Sequence, residues 1–363
     1  MRQFPDTPIT ALIDSTPRYN LGESMGRDLT VAELGPADLA SVSLGYGTSP
    51  GDPALRMLVA ARLGVPSDQI LITSGAAAAL FLASLLQGEG ETVVGVPCYP
   101  PTFDTLQGTG ARMVTVRSCF EHGYRMDLDA FAAALSPRTQ LVTVASPQNP
   151  SGVLITQDEI DQMLASMRRR CPGAFLLIDE TFREASYAGT PPAASYAGKS
   201  PSVLTCGSLS KAYGTPGLRI GWLTVPDPQL REQLRRAKFN SALSCGAVDE
   251  FLASAALSRA DELLAKRGTL LAQARDIVQR WIKEQDGRVR WIPPDAGAIC
   301  CVRLDPAEDP ERFHAELSRR QTLVARGPWF HDRPHVFRLG FGYESPDRLE
   351  LALDEISQAL RLS

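Results

Sequence analysis

The stretch "SLSKAYGTPGLRIGW", residues 208–222, sets one lysine, Lys211, among small and apolar neighbours, with Arg219 eight positions later. Lysine is rarely buried without a partner or a task. An amine in a low-polarity pocket loses its proton readily and condenses with carbonyl groups, so Lys211 is a candidate for holding a carbonyl compound as a Schiff base. Other positions could complete such a site. Asp179 ends the apolar run "AFLLID", and a carboxylate leaving a buried strand at its carboxyl end is well placed for a crevice. In "ILITSGAAAAL" a strand-like run passes through Ser74 and Gly75 into alanines. A helix starting there would present free N–H groups to an anion. Ser208 and Arg219 add a hydroxyl and a guanidinium suited to phosphate. Asn149 in "SPQNPSG" offers a side-chain donor, and Tyr99 in "PCYPP" a face for stacking. Arg338 in "FRLGFG" sits in an apolar run where an unpaired charge would be expensive and a bound carboxylate would satisfy it.

Taken singly, each has an ordinary alternative. Lys211 could snorkel to solvent from a loop, Asp179 could cap a helix, Asn149 could serve a plain turn and Tyr99 could be a loop aromatic. Taken together they are what pyridoxal phosphate requires: an amine for the aldehyde, an anion for the ring nitrogen, a phosphate cup, a stacking ring and a clamp for the substrate carboxylate.

Three other motifs are weaker. "GESMG" (22–26) spells the G-x-S-x-G of hydrolase nucleophile elbows, but only a short arm precedes it where a sheet strand is needed. "AGKS" (197–200) ends like a phosphate-binding loop, with Ala193 where the first glycine belongs. Ser208 and Lys211 form S-x-x-K, yet S-D-N and K-T-G do not occur in the chain.

The elements that would position these residues are legible. "QILIT", "TVVGV", "RMVTV", "QLVTVA", "AFLLID", "SVLTCG" and "RIGWLTV" are short runs rich in Val, Ile and Leu, mostly separated by segments of helical length. Strands apolar throughout and separated by helices predict an α/β fold, a mostly parallel sheet covered on both faces. Leu257, Leu264, Leu271 and Val278 recur every seven positions and predict a long amphipathic helix along a domain edge. Beyond it, "VRWIP", "AICCVRL" and "HVFRLGFG" are strand-like, and "SPDRLELALDEISQALRLS" predicts a closing helix. Residues 1–45 read as an N-terminal arm and part of a small domain, 46–250 as a large cofactor-binding domain, and 251–363 as a linking helix and smaller α+β domain.

Composition sets limits. Of 363 residues, 44% are hydrophobic and 21% charged, with a net charge of −4, which offers no footprint for nucleic acid. The seven cysteines are odd in number and scattered without zinc or disulfide spacing, and they favour a reducing compartment. Neither a signal-peptide layout nor an apolar run of membrane-spanning length is present, so a cytoplasmic protein without a membrane partner is expected.

The stretches "YGTSPGDPALR", "SGAAAAL", "PCYPPTF", "SPQNPSG", "LIDETF", "SLSKAYGTPGLRIGW" and "FRLGFG", in this order, resemble the class I/II aminotransferase family of fold-type I pyridoxal-phosphate enzymes. The resemblance implies that Lys211 is the Schiff-base lysine, that Asp179 pairs with the pyridine nitrogen, that Asn149 bonds the ring's phenolic oxygen and that Tyr99 stacks on the ring. It implies that Ser208, Arg219 and the backbone N–H groups of Ala76 and Ala77, beside Gly75, hold the phosphate. Tyr46 would reach the phosphate of a neighbouring subunit in a homodimer, Arg338 would clamp the substrate's α-carboxylate and Gly22 would lie on the substrate side of the ring. The expected function is transfer of an amino group between an L-amino acid and a 2-oxo acid. One departure is Phe182, where most members have a tyrosine that donates to the phenolic oxygen. Phenylalanine there resembles threonine-phosphate decarboxylase and capreomycidine synthase, and "SLSKAYGTPGLRIGW" resembles the latter too. A decarboxylase, lyase, cyclase or oxidase is therefore the alternative, and a catalytically silent binding protein of the same fold a more distant one. His331, Arg333 and His335 lie shortly before Arg338, with no role assigned.

Overall fold

A computed structural model of the protein describes residues 3–35 and 38–363. The seven apolar runs form one sheet of β1 (Ile70–Ser74), β2 (Glu91–Val96), β3 (Arg112–Arg117), β4 (Thr139–Ala145), β5 (Phe175–Asp179), β6 (Val203–Ser208) and β7 (Ile220–Thr224). Their spatial order is β1-β7-β6-β5-β4-β2-β3, and β7 alone runs against its neighbours. Successive side chains of a strand point to opposite faces, and both faces are covered. Val93, Val142, Leu176 and Val203 pack against Phe131, Ile160, Met163 and Met167 on one side. Their neighbours Val94, Leu141, Leu177 and Leu204 pack with Ala79, Leu82, Leu106 and Leu234 on the other. Two buried faces explain why these strands show no polar alternation.

This topology decides where polar groups emerge. The parallel strands end on one edge of the sheet, and β7, running the other way, begins there: Ser74 pairs with Ile220 and Ser208 with Gly221. Gly75 after β1, Tyr99 after β2, Asn149 after β4, Asp179 at the end of β5, Lys211 after β6 and Arg219 before β7 therefore share one edge.

The second sheet contains β8 (Val289–Trp291), β9 (Ile299–Leu304), β10 (Ala325–Arg326) and β11 (Val336–Gly340), antiparallel in the order β10-β11-β9-β8. Phe313 and Leu317 of the helix Pro310–Arg319, and Leu349, Leu353 and Ile356 of the helix Pro346–Leu360, share a core with Val302, Phe337 and Leu339. The single long helix read from the leucine spacing is two, Ala247–Ser258 and Ala260–Lys283, broken at Arg259 (φ −113°, ψ 21°). Leu257 consequently lies on the first helix, and Leu271 and Val278 are buried on the second.

The N-terminal arm leans on this second sheet. Tyr19–Asn20 pair in parallel with Thr322–Leu323, and the Gly340 N–H donates to Leu21 O at 2.7 Å. A Cβ on Gly340 would lie 1.7 Å from Glu23 O, so glycine there is what lets residues 21–24 lie against β11. Among the described residues, no helix is long and apolar enough to cross a membrane.

Candidate active site

Lys211 lies half-buried in the turn after β6, and its Nζ donates to Ser24 Oγ at 2.8 Å. Burial lowers its pKa from the ordinary lysine value. The Glu23 and Asp28 carboxylates oppose that shift, and the Arg338 and Arg219 cations reinforce it. The amine thus stands where a charge is disfavoured and a neutral nucleophile is favoured.

Asp179 accepts two bonds on Oδ1, from Thr181 N at 2.9 Å and Thr181 Oγ1 at 2.5 Å. Burial raises its pKa, while bonds from Thr181 and Cys206 and the charge of Lys211 hold it down. Burial outweighs these contacts and the net shift is upward, so a cationic group beside the carboxylate, such as a protonated ring nitrogen, would relieve the cost of its charge. Tyr99 precedes the helix Pro100–Thr109. Its phenol pKa is raised by burial and by the Asp179 charge, against the pull of Arg338 and Arg219, so four groups spread over the sequence feel one another at one place.

Arg338, on β11, is 2% exposed. Its Nη1 donates to Asn149 Oδ1 at 2.9 Å and its Nη2 to Gly22 O at 2.6 Å, and the guanidinium lies 4.7 Å from the centre of the Phe330 ring. Burial draws its pKa down to about 10, which still leaves a cation at neutral pH. Nε is buried without a hydrogen-bond partner, and no ion pair among the described residues includes this arginine. The Glu23 carboxylate offsets part of the burial cost without forming a direct ion pair, and a buried guanidinium with an unbonded N–H is suited to a small carboxylate. Because Asn149 accepts through Oδ1, its amide N–H groups remain as donors toward a ligand.

The anion cup is built from backbone. The helix Gly75–Ser84 starts with Gly75 at φ +74°, and Ser74 makes no side-chain cap. A Cβ on Gly75 would come within 2.4 Å of Arg219 Nη2, and one on Gly221 within 2.6 Å of Ala76 N. Two glycines therefore let the helix start press against β7 beneath the guanidinium. Arg219 itself holds a left-handed φ of 50° and donates to Pro216 O at 2.9 Å. Ser208 is buried, its Oγ accepting from Ser210 N at 3.3 Å.

Two predicted positions stand apart. Phe182 is buried in the turn after Asp179, beside Gly297, and brings no polar atom. Tyr46 is 89% exposed and lines a surface cavity with Asp52, Ala247, Glu250 and Phe251, a set that includes none of the other site residues. Conversely, Glu23 and Ser24 escaped sequence reasoning. They belong to "GESMG", in which the sequence offered only Gly22 and a weak match to a hydrolase nucleophile elbow. Thr181 and Phe330, which orient Asp179 and flank Arg338, had no local signal.

The chain is similar to known proteins over most of its length. The family model described as aminotransferase class I and II matches residues 21–356. The chain is 33% identical over 349 residues to capreomycidine synthase from Streptomyces vinaceus, covering 94% of this chain and 87% of that protein. It is 30% identical to an aromatic amino acid aminotransferase from Rhodococcus jostii, covering 75% and 77% of the two chains. The crystal structure of a PLP-dependent aminotransferase from Streptococcus suis superposes with a TM-score of 0.88 at 26% identity, over 99% of this chain and 98% of that one.

The residues present fit the cofactor such proteins use. The uncapped helix start under Arg219 suits a phosphate, the Asp179 carboxylate a ring nitrogen and the Lys211 amine an aldehyde. The chain belongs to the class I and II aminotransferase family, the fold-type I enzymes that depend on pyridoxal 5′-phosphate.

Proposed function

We propose that this enzyme takes the α-proton from an L-amino acid and moves its amino group to a 2-oxo acid. The observation that carries the reading is the buried Arg338, which makes no direct ion pair and leaves Nε unbonded, beside a lysine whose ammonium form is disfavoured. Pyridoxal phosphate, when bound, supplies an aldehyde that holds the substrate's nitrogen and a ring that takes up the electron pair left by the α-proton. The chain's own residues do the rest. Arg338 fixes the α-carboxylate and so turns the Cα–H bond toward the Lys211 amine, which takes the proton. Asp179 keeps the far end of the site anionic, Asn149 donates its amide and Tyr99 offers its ring face. The helix start at Gly75–Ala77, with Ser208 and Arg219, holds the phosphate. Exposure of Tyr46 suits a contact with a second subunit, and a homodimer in a reducing, cytoplasmic setting fits the seven unpaired cysteines.

A second reading keeps the cofactor and changes the outcome after proton removal to ring closure or elimination. Phe182, which lacks a phenol, favours it, as does similarity to a protein named capreomycidine synthase along 94% of this chain. One experiment separates the readings. The purified enzyme with cofactor is reduced with borohydride and mapped, then unreduced enzyme is mixed with acidic, basic, aromatic and aliphatic amino acids. An adduct on Lys211, with bleaching of the yellow band and release of a 2-oxo acid, supports amino transfer. Ammonia, carbon dioxide or a cyclic product without lasting bleaching supports the second reading, and an adduct on another residue overturns both.

A further inference from the structure

We propose that Ser24 is a positioning residue for the Lys211 amine, holding Nζ on the side of the site where Gly22 and Arg338 hold the substrate. This rests on the reading of Lys211 given above. Three observations meet on one short segment. Ser24 is 6% exposed and its Oγ accepts from Lys211 Nζ at 2.8 Å. Two residues earlier, Gly22 O accepts from Arg338 Nη2 at 2.6 Å. The segment cannot drift, because Leu21 O is bonded to Gly340 N and Glu23 O abuts Gly340 Cα so closely that a Cβ would not fit.

Two residues of extended chain span about 7 Å at most. The carboxylate clamp and the amine are thus tied to backbone points within about 7 Å of each other. That is the scale of one amino acid, whose carboxylate and α-hydrogen must be presented to the two groups at once. The bond also has the right polarity. A neutral amine that donates one N–H to Ser24 keeps its lone pair directed elsewhere, and with Arg338 holding the carboxylate the place it can face is Cα. Among the described residues, no other side chain hydrogen-bonds Nζ. The amine is free to make this bond only while it is not joined to the cofactor, which is when it has to move a proton. A hydroxyl that parks it there shortens the search for the reactive geometry.

The test compares the wild type with Ser24→Ala and Ser24→Thr. In cofactor-free protein, competitive acetylation of Lys211 is followed against pH by peptide mass spectrometry. With cofactor, kcat and KM are measured for a responsive amino acid, and thermal unfolding checks that the fold is intact. Losing an acceptor for the ammonium form should move the acetylation midpoint of Ser24→Ala to lower pH. Its kcat should fall about 10- to 100-fold with amino-acid KM within about twofold, since Arg338 is untouched. Ser24→Thr, which keeps the hydroxyl, should restore both. The proposal is overturned if Ser24→Ala folds normally and keeps its kcat, whether or not the midpoint moves, or if kcat falls only in step with thermal stability. Borohydride mapping that fails to find cofactor on Lys211 overturns the underlying reading instead, so the two failures are told apart.

Discussion

Replacing Arg338 by lysine keeps the charge and removes the fork. In the wild type two N–H groups serve Asn149 Oδ1 and Gly22 O, and Nε has no partner. A lysine ammonium at this place is a point donor and can serve one of those acceptors while facing a substrate carboxylate. The other acceptor, buried beside it, is left without a donor, at about 1–3 kcal/mol of fold stability. For the substrate, one charge-assisted bond to the carboxylate is lost, worth about 1.5–3 kcal/mol, or about 10- to 150-fold in KM. The assay is a spectroscopic half-reaction with the responsive amino acid and with the matching amine that lacks the carboxylate. Arg338→Lys should raise KM for the amino acid by that factor and leave the amine nearly unchanged. An unaltered amino-acid KM, or equal weakening of both compounds, would refute the assignment of Arg338 to the carboxylate.

Two further predictions concern the frame around the site. Gly340→Ala sets a methyl 1.7 Å from a backbone oxygen that has no room to yield, so urea unfolding should show a loss of about 3 kcal/mol or more. Gly173→Ala, with open space around it, should stay within about 0.5 kcal/mol, and similar losses in both would refute the packing argument. His314 is 7% exposed between the Phe313 and Phe337 rings, and its pKa is lowered to about 3 by burial, with Arg326 contributing. An imidazole depressed in the folded state stabilises above its unfolded pKa, and that stability is lost as pH falls from about 6.5 toward about 3. Between pH 7 and pH 4.5 the loss is about 2–3 kcal/mol. In His314→Leu, urea unfolding should show a correspondingly flatter acid limb; a limb as steep as the wild type's would show that this histidine is not the proton acceptor.

Much of the candidate site was legible along the chain because its polar groups sit at the ends of strands, and those ends are local features. "AFLLID" announces both a buried strand and the carboxylate at its edge, and "ILITSGAAAAL" announces a strand, a glycine turn and a helix start. Apolar runs without alternation then require a covered, mostly parallel sheet, which collects such ends on one edge. Periodicity was a poorer guide where the backbone turned. The heptad leucines run straight through Arg259, yet the helix breaks there, since a side-chain pattern cannot register a change in backbone direction.

The sequence alone therefore determined the strand set and the sheet class, and it nominated Lys211, Asp179, Asn149, Arg219 and Arg338 as candidates for the chemistry. Only the tertiary structure decided what those groups touch. Ser24 meets Lys211 across 187 positions, Arg338 meets Asn149 across 189, and Gly22 meets Arg338 across 316. Propensity, capping and hydrophobic period act over a few residues, whereas these contacts follow from how the N-terminal arm and β11 pack with each other and against the edge of the first sheet, which no local stretch encodes.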